Sequence, residues 1–327
     1  MSPIISFVSA VEGGQFEVKS LTAWPLPEEA PKPLTRKHLE VEMGHDAHTG
    51  KTRLRHCYIR FPLNVSQILR LEKDGSAASL ARAYLYKTNS ATGLLAGDTL
   101  QSAVKLGSDS ALYLADQSET KVYATPRTNL QPDIQAAVKY SIEIGDRAAL
   151  EYLAAPWRLY ADASLSQSVD VTMASEAALI LGEIIAPGQL EEGEVHGFRH
   201  FVSELSLRSP DGKVWFSESF LKQGHSRKKT ASSAEKPVIG KLVLVLPESI
   251  AKPEQLERLG RQISCLAERE DLTQDGQSDL SLIELPRKRG LIVRTSATDP
   301  QPIQTCFRGI VNCVRQLRQQ APLPYSV

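Results

Sequence analysis

Two kinds of residue in this 327-residue chain have the types and spacing to act on a ligand: carboxylates set against apolar runs, and paired histidines. Glu183 is the clearest carboxylate. It follows the apolar run Ala177-Ala178-Leu179-Ile180-Leu181-Gly182, and Glu191, Glu192 and Glu194 lie just beyond the Pro187-Gly188 bend. A carboxylate entering an apolar interior must be paired, hydrated or beside a cation. Two readings stay open. Glu183 is an ion-paired or edge-exposed glutamate, or it lines a water-filled passage for a divalent cation. Transit needs weak, hydrated oxygen contacts, because a thiolate or imidazole cage would hold the ion.

The histidines carry less. His45 and His48 lie in an irregular segment, as incidental loop residues or as surface imidazoles. His196 and His200 fall in a stretch, Val195 to Leu207, that reads as strand. There they share a side but stand about 13 Å apart, too far for one ion. The four cysteines, Cys57, Cys265, Cys306 and Cys313, form no C-x-x-C pair and read as reduced thiols of a cytoplasmic protein. Cys306 and Cys313 sit a heptad apart on an expected helix and read as core packing.

Other chemistry finds no motif. Gly93-Leu94-Leu95-Ala96-Gly97-Asp98 has two glycines but no Lys-Ser/Thr partner for a phosphate. There is no G-x-S-x-G elbow and no H-E-x-x-H helix. Lys+Arg and Asp+Glu both number 38, so the chain lacks the basic footprint of a nucleic-acid binder. The N-terminus has no basic, then apolar, leader pattern, and no stretch reaches membrane-spanning length without charges. The expectation is a soluble, intracellular protein.

The elements that must position these residues are mostly strands. Residues 1–50 contain Pro25, Pro27, Pro31 and Pro33 and read as an irregular N-terminal arm. From Thr52 to Leu221 the dominant signal is period two, clearest at Ile134, Ala136, Val138, Tyr140, Ile142 and Ile144. Turn signals such as Gly145-Asp146 and Pro210-Asp211-Gly212 separate the runs. Residues 51–224 therefore predict a large β body, a β-solenoid or a layered arrangement, with no fixed-length repeat to decide between them. Residues 225–237 are basic and Ser/Ala-rich and predict a flexible loop. Residues 238–327 predict an α+β part of the same single domain. It holds an apolar strand at Lys241 to Leu246, a helix opened by Pro253, two strands at Leu280 to Leu285 and Leu291 to Val293, and a helix after Pro302. The stripe Phe307, Ile310, Val311, Val314 and Leu317 on that last helix is a candidate partner-binding surface, with Phe307, Ile310, Val314 and Leu317 its candidate contacts.

Several strings, in order, resemble one family. Thr92 to Asp98 looks like a G-L-x-x-G-D turn, and Gln117 with Thr120-Lys121-Val122-Tyr123 looks like a Q-x-x-T-K-V-Y element. Ala149-Leu150-Glu151-Tyr152-Leu153 with Pro156, then Gly182-Glu183 through Pro187-Gly188 and Gly193-Glu194, continue the series, followed by Gly290-Leu291-Ile292-Val293-Arg294. From about Gly50 to Gln320 the chain resembles the UreD (UreH) family of urease accessory proteins. Two departures stand out: Gln189 replaces the usual Arg, removing a carboxylate partner, and Asp116 precedes Gln117 where Thr or Ser is usual.

The resemblance implies a urease maturation scaffold, not an enzyme. It implies complexes with UreF, with UreG through UreF, and with apo-urease, in the cytoplasm, with nickel as an ion in transit and no tightly bound cofactor. It marks Asp98, Gln117, Lys121, Tyr123, Glu151, Glu183 and Glu194 as passage or structural motif candidates. The residues alone leave open a β-rich enzyme using carboxylates such as Asp98, Glu183 and Glu194, or a β-rich binding module.

Overall fold

The alternation at Ala136–Ile144 is a strand whose Ala136, Val138, Tyr140, Ile142 and Ile144 are buried while the residues between them are not. Most of the chain is built this way. The computed structural model describes residues 8–12, 15–18, 37–71, 82–124, 134–188, 197–224, 236–270, 272–274 and 277–324. In chain order the strands begin with β1 (Val8–Glu12), β2 (Gln15–Val18), β3 (Leu39–Asp46), β4 (Lys51–Ile59), β5 (Leu63–Val65), β6 (Arg82–Asn89) and β7 (Thr99–Leu106). Next come β8 (Ala111–Asp116), β9 (Thr120–Val122), β10 (Ala136–Ile144), β11 (Ala149–Leu153), β12 (Trp157–Leu159), β13 (Ser164–Met173) and β14 (Ala178–Pro187). The last are β15 (His200–Arg208), β16 (Val214–Gln223), β17 (Val238–Val245), β18 (Thr273–Gln274), β19 (Gln277–Ser278), β20 (Ser281–Glu284) and β21 (Gly290–Ala297). The two long helices are α1 (Pro253–Arg269) and α2 (Pro300–Leu317).

Two sheets form the body. One has nine strands in the order β2-β1-β16-β15-β13-β10-β7-β3-β4. The other has ten, in the order β20-β21-β17-β14-β11-β8-β6-β5, with β9 and β12 attached beside β14. The chain crosses from one sheet to the other as it winds: β7 to β8, β10 to β11, β13 to β14. Strands reached on successive passes pair in parallel, as in β7–β10–β13 and β8–β11–β14. This is solenoid-like winding within a layered β body; the period-two pattern predicts the β body and leaves the winding open. The corners also stack, with the Gly145 amide donating to Leu106 O (2.8 Å) and the Ala174 amide to Ile144 O (3.0 Å). Successive coils of the nine-stranded sheet begin at Thr99, Ala136, Ser164 and His200, so they differ in length. That inequality hides the repeat from a fixed-period search.

One boundary moves. β3 lies inside the nine-stranded sheet between β7 and β4, with Leu39, Val41 and Met43 buried, so the body begins before residue 51. His45 is part of that strand, and the alternation Leu39-Val41-Met43 is the signal for it. Residues 225–235 of the expected flexible loop lie outside the described residues, as do His196 and Gln189.

Among the described residues the core has two large compartments and a small cluster around Tyr84 and Tyr113. One compartment lies between the sheets. The other lies on the far face of the ten-stranded sheet, where Leu256, Leu259 and Ile263 of α1 and Ile303, Phe307, Ile310 and Val314 of α2 pack against Ile180, Ile184, Leu242 and Leu244. β14 is covered on both faces, which explains its apolar run. Gly240 lets α2 approach, since a Cβ there would stand 2.5 Å from Ile303 Cγ2. Asp299 caps α2, accepting from the Gln301 amide (2.8 Å).

Candidate functional site

Between the sheets, apolar side chains give way along one line to polar ones. Alternation along β14 turns Leu179, Leu181 and Glu183 toward the other sheet. Cross-strand pairing then sets Lys241 of β17 beside Glu183, and Arg294 of β21 beside Lys241. The facing sheet supplies Gln167 of β13, Ser203 of β15 and Glu218 of β16. Glu183, only 6% exposed, accepts from Ser203 Oγ (2.8 Å) and from Gln167 Nε2. Gln167 in turn accepts from Trp157 Nε1 (2.9 Å). Lys241 Nζ lies 3.3 Å from Glu183 Oε1 and 3.3 Å from Glu218 Oε2, and donates to Ser203 Oγ (3.1 Å). Arg294 closes the row on Glu218 Oε1.

A second group continues the line. Lys87 of β6 pairs with Asp116 of β8 (3.0 Å) and donates to Tyr140 OH (2.9 Å) and Tyr152 OH (2.8 Å). Two small cavities flank these groups. One, of about 20 Å³, is lined by Tyr140, Tyr152, Trp157, Gln167, Glu183, Ser203 and Lys241 among others. The other, of about 10 Å³, is lined by Lys87, Asn89, Ser102, Asp116, Ser118 and Thr120, again with Tyr140 and Trp157. A polar cavity of roughly 10–15 Å³ is the size that holds one water. Tyr140 and Trp157 form the partition between the two.

Charge is matched along this row. Burial works against the Lys241 ammonium, but Glu183 and Glu218 win and hold its pKa above the ordinary value. Lys87 behaves alike: burial pulls it down, Asp116 and Tyr140 raise it further. Glu218 is pushed up by burial and pulled down by Lys241 and then Arg294, ending below its usual range. Both lysines and Glu218 are therefore ionised at neutral pH.

Glu151 occupies the opposite face of the same sheet. It is 1% exposed and gripped by Arg315 of α2 (Nη2–Oε2 2.6 Å) and Arg82 of β6 (Nη1–Oε1 2.9 Å). Arg315 also donates to Tyr84 OH (3.2 Å). Burial opposes its ionisation, but Arg82 and Arg315 hold the carboxyl below its ordinary value. Arg318 is pulled down to about 10 by burial and by the neighbouring Arg82.

The model of the family described as "UreD urease accessory protein" matches residues 36–326. The chain belongs to the UreD family. A UreD of Trichodesmium erythraeum is 32% identical over 89% of this chain and 99% of its own length. One of Bacillus cereus is 34% identical over 45% of this chain and 49% of its own, and one of Haloarcula marismortui 24% over 87% and 88%. Membership gives the chain a role in urease maturation as an accessory protein.

The UreD-like strings are distant in sequence but join in space. The Leu94 amide donates to Lys121 O and the Tyr123 amide to Leu94 O, both at 2.8 Å, which ties the G-L-x-x-G-D turn to the T-K-V-Y element. β9 then pairs with β12, and β12 with the end of β14. Gly93 is required there, because a Cβ would stand 2.6 Å from the Tyr123 ring. Asp98 is exposed and accepts from the Leu95 amide (2.8 Å), so it shapes the turn. Gln117 and Lys121 are exposed, and Tyr123 stacks on Tyr160 with centroids 4.6 Å apart. Of the motif candidates, Glu183 reaches the interior row; Glu151 faces α2, and Glu194 lies outside the described residues. The helix stripe faces inward: Phe307, Ile310 and Val314 are buried and Leu317 partly so.

Sequence reading missed most of the row: Lys87, Asp116, Tyr140, Tyr152, Trp157, Gln167, Ser203, Glu218, Lys241 and Arg294. For Lys241 the signal was present, a lone charge in the apolar run Val238 to Leu246, the mirror image of Glu183. Asp116, the departure from the family pattern, is the partner of Lys87. Among the described residues no group of three or more His, Cys, Asp or Glu is placed to hold a metal, and no helix is long and apolar enough to cross a membrane.

Proposed function

We propose that this chain is a maturation scaffold that binds apo-urease and, with UreF and with UreG through UreF, passes nickel toward the urease active site in the cytoplasm. It does no covalent chemistry, and nickel is cargo, not a resident cofactor. The observation that carries this reading is the buried polar row between the sheets of a UreD protein, flanked by two water-sized cavities. Beside apolar residues such as Val169, Leu181 and Leu100, their polar lining side chains offer oxygens, amines and the amides of Gln167 and Asn89, and neither thiolate nor imidazole. Such contacts let a hydrated divalent ion pass without holding it. Glu183 is the passage residue of this reading.

The rival, a carboxylate-based enzyme, gains no support: Asp98 caps an exposed turn while Glu183 lies in the interior. UreF binding falls to the C-terminal side, where the buried stripe supports α2 and its polar outer residues Gln301, Thr305 and Arg308 face outward. Deleting the protein should leave urease synthesised but nickel-poor and inactive. Urease of normal nickel content from the deletion strain would overturn the assignment.

A further inference from the structure

Lys241 occupies an unusual place. Its Nζ has three oxygen neighbours at 3.1–3.3 Å: Ser203 Oγ, Glu183 Oε1 and Glu218 Oε2. These are the hard oxygen donors that a divalent cation would take. Glu218 Oε2 is fully buried and receives no hydrogen bond of ordinary geometry; the ammonium is its close charged neighbour. A cavity of about 20 Å³ opens directly onto Lys241, Glu183 and Ser203. Two carboxylates, Glu183 and Glu218, are balanced by two cations, Lys241 and Arg294.

Without the ammonium this cage would carry net negative charge in a low-dielectric interior. A divalent ion would bind there and stay, which is the opposite of transit. With the ammonium in place the cage is neutral, and an ion gains little by stopping. The lysine suits this task because its charge sits on a flexible stem and is a compact point, whereas the planar guanidinium of Arg294 is held against its carboxylate. We propose that Lys241 keeps the interior from becoming a cation trap: its ammonium fills the oxygen cage of Glu183, Glu218 and Ser203, and a divalent cation in transit exchanges with it. This role rests on the passage reading given above.

The test uses the full chain and Ni²⁺ alone as the probe. Binding is followed by equilibrium dialysis and by tryptophan quenching, since Trp157 lines the same cavity. Lys241→Gln should bind Ni²⁺ at least about tenfold more tightly than the unsubstituted chain, because a neighbouring unit charge is removed in a medium of reduced dielectric. Lys241→Arg, which keeps the charge, should show no gain, and adding Glu183→Gln to Lys241→Gln should abolish it. A folded Lys241→Gln protein with no gain overturns the proposal. If that variant does not fold alone, added Ni²⁺ should restore its melting transition by filling the emptied oxygen cage; no restoration overturns the proposal equally. Urease nickel content separates the two levels. Lys241→Gln that binds Ni²⁺ and starves urease supports both. Gain in binding with normal urease nickel overturns the passage reading and the clearing role with it. No gain in binding overturns the role of Lys241 alone and leaves the passage to be tested at Glu183.

Discussion

Glu151 and Glu183 lie on adjacent strands of one sheet, both buried, both inside family-like strings, yet they are held in opposite ways. Glu151 faces α2. Two guanidiniums grip it, Arg315 through Nε and Nη2 and Arg82 through Nη1, and Tyr84 and Ala321 O take further Arg315 donors. Glu183 faces the other sheet, where its partners are an ammonium, a hydroxyl and an amide beside a cavity. Rigid bidentate forks lock a position, while a point charge on a flexible stem and room for water leave one exchangeable. Burial of a carboxylate therefore does not by itself mark a functional site. What separates the two glutamates is the face each occupies, the kind of cation beside it and the space around it.

The largest expected effect that tests this contrast is Glu151→Gln. It leaves Arg82 and Arg315 buried without their carboxylate and should cost roughly 3–5 kcal/mol in denaturant unfolding. A loss under about 1 kcal/mol would erase the distinction, since the lock would then be no tighter than a surface pair. Glu183→Gln should cost less, on the order of 1–3 kcal/mol, the range for a hydrogen bond to a charged group, because Lys241 keeps Glu218. Its main effect should be lower urease nickel. A destabilised variant that still delivers nickel normally at permissive temperature would rule out the passage role.

pH sharpens the same contrast. Glu151 and Glu218 have depressed pKa values, so their stabilisation is present above the ordinary carboxylate value of 4.5 and is lost as pH falls through the depressed ones. Lys87 and Lys241 have raised values, so theirs is present below the ordinary 10.5 and is lost as pH rises through the raised ones. Melting temperature should be level between these limits and fall on both sides. Glu151→Gln should flatten the acid limb. An unchanged acid limb in Glu151→Gln would show that the lock does not set it.

The smallest effect on stability is expected at the outer face of α2. Removing the helix is not a clean test of partner binding, because Phe307, Ile310 and Val314 are core and Arg315 holds Glu151. Arg308→Glu changes an exposed residue and should alter stability by no more than about 0.5 kcal/mol. Co-purification with UreF should nevertheless fall. Undiminished UreF binding would move the contact to another surface.

Much of this protein is legible in its residues alone. Period two announces the strands, Pro253 and the 3.6-residue stripes announce both helices, and the ordered strings from Thr92 to Arg294 announce the family. These signals are local: each follows from backbone geometry within a few residues. The alternation of β3 is equally local, though it follows a proline-rich stretch. What the tertiary structure decided is everything that depends on which strands become neighbours. Lys241 stands beside Glu183 through an antiparallel register, and Ser203 and Glu218 reach them from a different sheet. Glu151 and Tyr152 are consecutive residues, yet one faces α2 and the other the space between the sheets. An apolar run around a charge shows in sequence that the charge is buried, because burial is averaged over its neighbours. Whether that charge is locked by arginine or left beside a cavity is set by side chains tens to hundreds of residues away in the chain, and only folding brings those to it.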